Sequence, residues 1–122
     1  MGTGHGIILL AHGSRDARWR EPIEAVARRI GELQPGTLVQ CAYLEMTAPD
    51  LPAAATALAN QDVEAIDVVP LFLGMGKHLR DDLPGLIEWL RAANPDIAIN
   101  LRPSIGESRE LIDVLARIAL NR

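Results

Sequence analysis

Residues 7–11, Ile-Ile-Leu-Leu-Ala, form a short apolar run that is followed at once by His12 and Gly13. A run of this length, rich in branched aliphatic residues and ended near a glycine, is typical of a β-strand. A strand with one face in water would alternate apolar and polar residues, and this one does not. The stretch therefore predicts a strand covered on both faces, as in the interior of a parallel sheet.

Three more runs are predicted as strands on the same grounds: residues 38–44, residues 65–73 and, more weakly, residues 97–101. After each of the four strands, apolar residues recur at helical spacing. These helical positions are Ile23, Val26, Ala27, Ile30 and Leu33; Leu51, Ala54, Ala55, Leu58 and Ala59; Leu83, Leu86, Ile87 and Leu90; and Leu111, Ile112, Leu115, Ile118 and Ala119.

Residues that suit helix starts precede these segments. Pro22 fits the first turn of the first helix. Thr47 and Asp50 are candidate caps for the second helix, and Ser104 or Ser108 for the fourth.

The order strand–helix, repeated four times, predicts an α/β fold: a three-layer domain with a four-stranded parallel sheet and helices on both faces. We expect residues 1–122 to form one such domain. Ligands of open parallel sheets bind beyond the carboxyl ends of the strands, so candidate functional residues are sought there.

Composition narrows the function classes. The formal net charge of −4 argues against a nucleic-acid binder, which usually shows a basic stripe. Cys41 is the one cysteine, so no internal disulfide is expected, and a small buried side chain is the simplest interpretation. No apolar run reaches the length of a membrane span, and no secretory signal is evident. We expect a cytoplasmic protein without a membrane or nucleic-acid partner.

Three side chains with metal-binding chemistry follow the predicted strands. His12 follows the first strand, Glu45 lies at the end of the second, and His78 follows the third. In a parallel sheet all three would share the carboxyl edge. Two imidazoles and a carboxylate suit cobalt(II), iron(II) or nickel(II), and such a set leaves coordination positions open.

Each of these residues also has a simpler interpretation. Either histidine could hydrogen-bond a loop backbone, and Glu45 could face solvent or cap a helix. Gly74 and Gly76 could be plain turn residues, or could let a large flat ligand approach the backbone. His5 is expected to be incidental, in a mobile start of the chain.

Two common kinds of site are excluded. The pair Gly74 and Gly76 lacks the third glycine of a dinucleotide fingerprint, and no phosphate-binding loop is present. Ser14 lacks the strand–turn–helix G-x-S-x-G setting of a hydrolase nucleophile.

The same segments together resemble the class II chelatases of the short CbiX and SirB type. The matching elements are A-H-G-S-R-D at residues 11–16, Y-L-E at residues 43–45, and V-P-L-F-L-x-x-G-x-H-x-x-x-D-x-P at residues 69–84. Each element is weak alone, but the three in order form a fairly specific pattern that spans roughly residues 7–84.

The resemblance implies a chelatase that inserts cobalt or iron into sirohydrochlorin, toward cobalamin or siroheme. A similar archaeal branch handles nickel. His12 and His78 fall on the family's two metal-site histidines, and Glu45 falls on its acidic site residue. The metal would be a substrate, so no tightly bound cofactor is expected.

The resemblance also implies a carboxylate-rich tetrapyrrole and a second subunit. Longer family members carry two such domains that face each other across a cleft, so this chain would form a homodimer to build the same enclosure. The expected substrate-binding groups, the nearest by sequence, are Ser14, Arg15, Gly74, Met75 and Gly76, with Lys77 and Arg80 as further basic candidates.

Three other functions share part of this pattern. A metal-binding or metal-delivery protein would use both histidines without inserting the metal. A structural or regulatory partner would bind neither metal nor tetrapyrrole tightly. A different α/β enzyme could bind a small anion at its helix N-termini, and would not need His12 and His78 together.

Overall fold

The structure, a computed structural model, describes residues 4–121 and confirms the predicted α/β fold. The helices and strands alternate along the chain as β1 (Gly4–Ala11), α1 (Glu21–Leu33), β2 (Leu38–Tyr43), α2 (Leu51–Ala59), β3 (Val63–Pro70), α3 (Lys77–Ala93), β4 (Ala98–Leu101) and α4 (Arg109–Leu120). Short 3-10 helices at Ala17–Arg20 and Ile105–Glu107 precede α1 and α4. The four strands are all parallel in the order β2-β1-β3-β4, which places β1 and β3 in the middle.

The third predicted strand is displaced along the chain. It begins at Val63, because Glu64 interrupts the apolar pattern without interrupting the strand, and it ends at Pro70. The N–H of Leu71 still donates to the carbonyl of Leu10 at 2.8 Å, after which the chain leaves the sheet. Leu73, predicted within this strand, is instead 70% exposed in the following loop.

His5 lies in β1, so the prediction of a mobile start is wrong at this residue. Its Nε2 is 2.9 Å from a carboxylate oxygen of Asp67 on β3. Residues 1–3, which that prediction also covered, lie outside the described residues.

The main core lies between α2, α3 and one face of the sheet, called here the first face. It contains aliphatic side chains from both layers, which are almost fully buried: Ile8, Leu10, Ile66, Val68, Leu58, Leu83, Ile87 and Leu90. Because aromatic residues are scarce, branched aliphatic side chains fill most of this core.

Helix α1 lies on the opposite, second face of the sheet. There the Cys41 thiol on β2 contacts the carbonyl of Ile23 on α1 at 3.9 Å. Burial, followed by the nearby charge of Glu24, raises the pKa of this thiol, in keeping with the interpretation of Cys41 as a packed side chain. Helices therefore lie on both faces, as predicted.

Helix α4 forms where the sequence predicts it, and Ser108 rather than Ser104 caps it. The Ser108 hydroxyl oxygen accepts the N–H of Leu111 at 3.3 Å. However, none of its side chains is buried. Among the described residues, no helix is both long and apolar enough to cross a membrane.

Gly106 offers a test of the packing after β4, because a Cβ at this position would lie 1.8 Å from the Leu73 carbonyl oxygen. That oxygen belongs to backbone and cannot rotate away. We expect Gly106→Ala to lower the free energy of unfolding by about 1–3 kcal/mol, measured by urea denaturation.

The matched control is Gly85→Ala in α3, where the added Cβ meets nothing within 4 Å. This variant should be more stable than the parent by about 0.5–1 kcal/mol, because alanine favours a helix more than glycine does. Equal stabilities of the two variants would contradict the described contact.

Candidate functional site

The loops that follow β1 and β2 are joined by backbone hydrogen bonds. The N–H of Leu44 donates to Ala11 at 3.0 Å, and the N–H of Glu45 donates to His12 at 3.0 Å. The pairing of β1 with β2 thus continues past the end of both strands. It places His12 and Glu45 on adjoining backbones at the carboxyl edge of the sheet, as the sequence predicted.

Gly13 makes this close approach possible. Its φ is +92°, and a Cβ here would lie 1.9 Å from the Glu45 carbonyl oxygen. Any side chain would therefore push the two loops apart. The sequence analysis did not assign Gly13 a role, although its position directly after a candidate histidine was a usable signal.

Thr47 holds the same two loops together. Its hydroxyl donates to the Ser14 carbonyl at 2.6 Å and accepts the Ser14 N–H at 3.2 Å. The prediction that Thr47 helps cap α2 is therefore wrong, because this hydroxyl is occupied elsewhere. Asp50 alone provides the cap, accepting the N–H of Ala53 at 2.9 Å.

Beyond Ser14, the first loop is stabilised locally. The Ser14 hydroxyl oxygen accepts the N–H of Asp16 at 3.0 Å, and Asp16 accepts the N–H of Arg18 to cap the short 3-10 helix. The side chain and backbone of Arg18 lower the pKa of Asp16. The neighbouring Arg15 is exposed, and within residues 4–121 no carboxylate forms an ion pair with it.

The His12 side chain is exposed and rests against a buried aromatic ring. Its ring centroid is 4.7 Å from that of Phe72, with an angle of 63° between the planes. Phe72 belongs to the loop after β3, so this contact links the ends of two central strands. The sequence analysis did not identify Phe72 as a support for His12.

His78 is the second residue of α3 and is also exposed. Over residues 4–121, the structure gives the imidazole nitrogens of His12 and His78 no hydrogen-bond partner in the protein. The simpler interpretation, that either side chain only supports a loop backbone, is therefore wrong. Both imidazoles are free to bind something outside the chain.

The loop between β3 and α3 has an open backbone. A Cβ at Gly74 or Gly76 would meet nothing within 4 Å, and neither residue has a positive φ. The chain's own conformation thus requires glycine at neither position, unlike at Gly13. Met75 between them packs partly against the core, which fixes the loop.

The three predicted metal-binding side chains share one edge without forming a closed cage. Among the described residues, no three histidine, cysteine or carboxylate side chains are grouped closely enough to hold a metal ion. His12, Glu45 and His78 are all exposed. A single chain therefore presents separate donor groups rather than a finished coordination site.

Two shallow hollows flank this edge. One of about 250 Å³ lies beside His12 and includes Trp19, Arg20 and Tyr43 in its wall. The other, of about 350 Å³, includes Arg80 and Arg102. The first volume lies below, and the second at the low end of, the range of roughly 300–1,000 Å³ that is common for ligand pockets. Neither of these two hollows is large enough to enclose a large ligand.

A larger hollow of about 690 Å³ lies at the opposite, amino edge of the sheet. Its acidic lining residues are Asp62, Glu64 and Asp96, and it contains no histidine. We assign the functional site to the carboxyl edge, because the unpartnered imidazoles and the open loop are there. Size alone would have selected the amino edge instead.

Comparison with known proteins gives related chains that cover two thirds or more of this one. A protein of Sulfolobus acidocaldarius named sirohydrochlorin cobaltochelatase is 28% identical over 110 residues, which are 90% of this chain and 85% of that one. A protein of the same name from Methanococcus aeolicus is 33% identical over 85 residues, 67% of this chain and 59% of that one.

Solved structures share the fold. A cobalamin (vitamin B12) biosynthesis CbiX protein from Marinobacter aquaeolei VT8 is 40% identical, with a TM-score of 0.81 over 95% of this chain and 94% of that one. The sirohydrochlorin chelatase SirB from Bacillus subtilis subspecies spizizenii, in complex with cobalt, has a TM-score of 0.79 at 24% identity. The match covers 98% of this chain but 51% of the SirB chain, which is therefore about twice as long.

The profile of one protein family, CbiX, matches residues 6–120. That range contains every strand end and loop described above. The chain belongs to the CbiX family.

Proposed function

We propose that this protein is a chelatase that inserts cobalt(II) or iron(II) into sirohydrochlorin, with both the metal and the macrocycle as substrates. The observation that carries the proposal is the pair of exposed imidazoles, His12 and His78, at one sheet edge, neither of which has a hydrogen-bond partner in the described part of the chain. Family membership and the relatives named sirohydrochlorin cobaltochelatase supply the substrate class. No resident cofactor enters the proposal.

The metal must be bound weakly enough to leave. Exposed imidazoles that are not gathered into a cage meet this requirement, because each contributes one nitrogen and the remaining coordination positions stay open. Imidazole accepts cobalt, iron and nickel alike, so nickel is a third possible substrate ion. The incoming ion would be held by His12 and His78 against one face of the macrocycle.

Insertion of a divalent ion displaces two protons from pyrrole nitrogens. Neutral imidazole is a base near physiological pH, so one or both histidines can accept these protons as the metal is transferred. The protons then pass to solvent, to which both side chains are open. The contact with Phe72 holds the His12 ring in place for this step.

Glu45 is proposed to complete the metal shell or to increase the basicity of a histidine. Its backbone N–H donates a hydrogen bond to the carbonyl of His12, and its side chain is exposed at the same edge. A carboxylate in this position also adds negative charge that attracts the cation.

The carboxylates of sirohydrochlorin need hydrogen-bond donors or basic side chains near the carboxyl edge of the sheet. We assign these to Ser14, Arg15 and the loop from Gly74 through Met75 to Gly76, with Lys77 and Arg80 beside it. The absence of side chains at the two glycines lets a flat ligand approach the backbone N–H groups.

We further propose that residues 1–122 act as one domain in a cytoplasmic homodimer. The two hollows beside the candidate site, of about 250 and 350 Å³, are too small to enclose a tetrapyrrole. The SirB chain is about twice as long as this one, which is the length that two copies would supply.

Replacement of both histidines tests the central step. We expect His12→Ala combined with His78→Ala to lower the anaerobic rate of cobalt(II) insertion at least about 100-fold, followed by the visible spectrum of the tetrapyrrole. Since both side chains are exposed, the variant should stay folded, with a loss of stability no larger than the about 0.5–1.5 kcal/mol of the contact between His12 and Phe72.

The control is His5→Gln, which keeps a hydrogen-bond donor for Asp67 at the other end of β1 and should insert cobalt normally. Full activity in the double variant would overturn the mechanism. A wild type that binds metal but inserts neither cobalt nor iron would instead indicate metal delivery.

Glu45→Gln tests the role of the carboxylate. We expect the KM for cobalt(II) to rise about tenfold or more, because supporting groups at metal sites commonly change affinity by that amount. The KM for sirohydrochlorin should stay near its original value. Glu64→Gln, a matched change at the amino edge, should alter neither constant, and an unchanged metal KM in Glu45→Gln would remove Glu45 from the site.

A further inference from the structure

The hollow of about 250 Å³ beside His12 has a wall made by four parts of the chain. These are the loop after β1, the 3-10 helix with the start of α1, the last residue of β2, and the loop after β3. The volume is below that of pockets for whole ligands, so it suits one part of a larger ligand. Because His12 belongs to the wall, the rest of that ligand would lie at the functional edge.

Tyr43, the last residue of β2, brings a hydroxyl to this hollow. Its side chain shares the second face of the sheet with Cys41, two residues earlier, and only 3% of the residue is exposed. Within residues 4–121, the Cys41 thiol, a weak partner, is its hydrogen-bonding neighbour, and no nitrogen or oxygen atom bonds the hydroxyl. No side-chain nitrogen or oxygen of these residues is both buried and without a partner. The hydroxyl is therefore open to the hollow.

Arg20, the last residue of the 3-10 helix, brings a positive charge to the same hollow. Its Nε is 4.0 Å from a carboxylate oxygen of Glu24, too far for a hydrogen bond, and Glu24 is not part of the wall. Burial, followed by Cys41 and Glu24, raises the pKa of Tyr43, whereas the guanidinium of Arg20 lowers it. The guanidinium thus lies near enough to act on the Tyr43 hydroxyl.

Most of the remaining wall is apolar. Ile23 and Phe72 are inner members, and Trp19, which is 66% exposed, forms an outer side. A few polar groups set in an apolar wall are the usual composition of a ligand site. A guanidinium fork matches the two oxygens of a carboxylate, and hydrogen bonds to a charged group are stronger than neutral ones. The chemistry of this hollow therefore favours a carboxylate on a short apolar stem.

We propose that this hollow binds one carboxylate arm from the rim of the tetrapyrrole while the macrocycle lies over His12. The Arg20 guanidinium and the Tyr43 hydroxyl donate to the carboxylate, and Trp19 covers the stem of the arm. This inference rests on the proposed function. It adds two donors to the substrate-binding groups assigned there.

An arm held in the hollow would fix the macrocycle relative to the metal-binding side chain. The wall contains Phe72, the ring against which His12 rests, so the arm and the imidazole share one support. A macrocycle anchored beside His12 cannot slide along the edge of the sheet, and its pyrrole nitrogens keep a defined distance from the imidazole. Holding reacting groups in such a geometry is a principal source of rate acceleration.

The first experiment measures the Kd of the complete protein for metal-free sirohydrochlorin from its visible absorption spectrum. We expect Arg20→Gln to raise this Kd at least about tenfold and Tyr43→Phe to raise it about two- to tenfold. The matched control is Arg29→Gln, which removes a guanidinium paired with Glu32 on α1 and should keep the wild-type Kd. Wild-type affinity in both hollow variants would overturn the proposal.

A double variant tests whether the two donors hold the same carboxylate. If they do, the loss of affinity in Arg20→Gln combined with Tyr43→Phe should be smaller than the product of the two single losses. A loss equal to that product would show that the two side chains act on separate groups, against the proposal. In the insertion reaction, the KM for sirohydrochlorin should rise while the KM for cobalt(II) stays unchanged, the reverse of Glu45→Gln.

Fluorine NMR on the unmutated chain covers the case in which a variant fails to fold. Tyr43 is the one tyrosine, so 3-fluorotyrosine labels the hollow at a single position. In a second sample, 5-fluorotryptophan labels Trp19 in the wall and Trp89 near the end of α3 as an internal control. We expect metal-free sirohydrochlorin to move the Tyr43 and Trp19 signals and to leave Trp89 in place.

The outcomes separate this inference from the proposed function. A Tyr43 signal that stays in place while the absorption spectrum shows saturation would overturn the inference, even in a protein that inserts cobalt. A protein that inserts no metal, yet shows the Tyr43 shift and the weakened binding of Arg20→Gln, would contradict the chelatase and support the site for the carboxylate arm. A wild type that binds no sirohydrochlorin would overturn both.

Discussion

The structure depends on one requirement: β1 must be hydrogen-bonded along both edges and covered on both faces. Its side chains Ile8 and Leu10 are completely buried, and it pairs in register with β2 and β3. This central position directs His12 out of the carboxyl edge between the loops that carry Glu45 and Phe72.

The functional edge combines a rigid base with free donor groups. Gly13 and Thr47 hold the loops after β1 and β2 together at backbone distance. The imidazoles of His12 and His78 have no hydrogen-bond partner within residues 4–121. A chelatase needs this combination, because the metal must be presented in a defined position and then released. A closed cage of ligands would bind the ion too firmly to deliver it.

The sequence predicted most of the fold because its signals are local. The apolar run at residues 7–11, the cap at Asp50 and the cap at Ser108 all report on neighbouring residues. Other features join segments that are distant in the sequence, and the spacing of apolar residues does not reveal them. These features are the strand order, the approach of Gly13 to Glu45 and the pairing of His5 with Asp67. Periodicity also predicted α4 correctly, although none of the side chains of this helix is buried. The predicted topology was enough to place His12, Glu45 and His78 at one edge of the sheet. It could not show that these three side chains are too far apart in one chain to hold a metal ion together.

The most direct test of the site assignment is a crystal structure of the protein with cobalt and sirohydrochlorin, with anomalous data collected at the cobalt absorption edge. We expect a cobalt peak beside the imidazoles of His12 and His78 at the carboxyl edge, facing the macrocycle. A peak in the acidic hollow at the amino edge, beside Asp62 and Asp96, with none at the histidines, would contradict it.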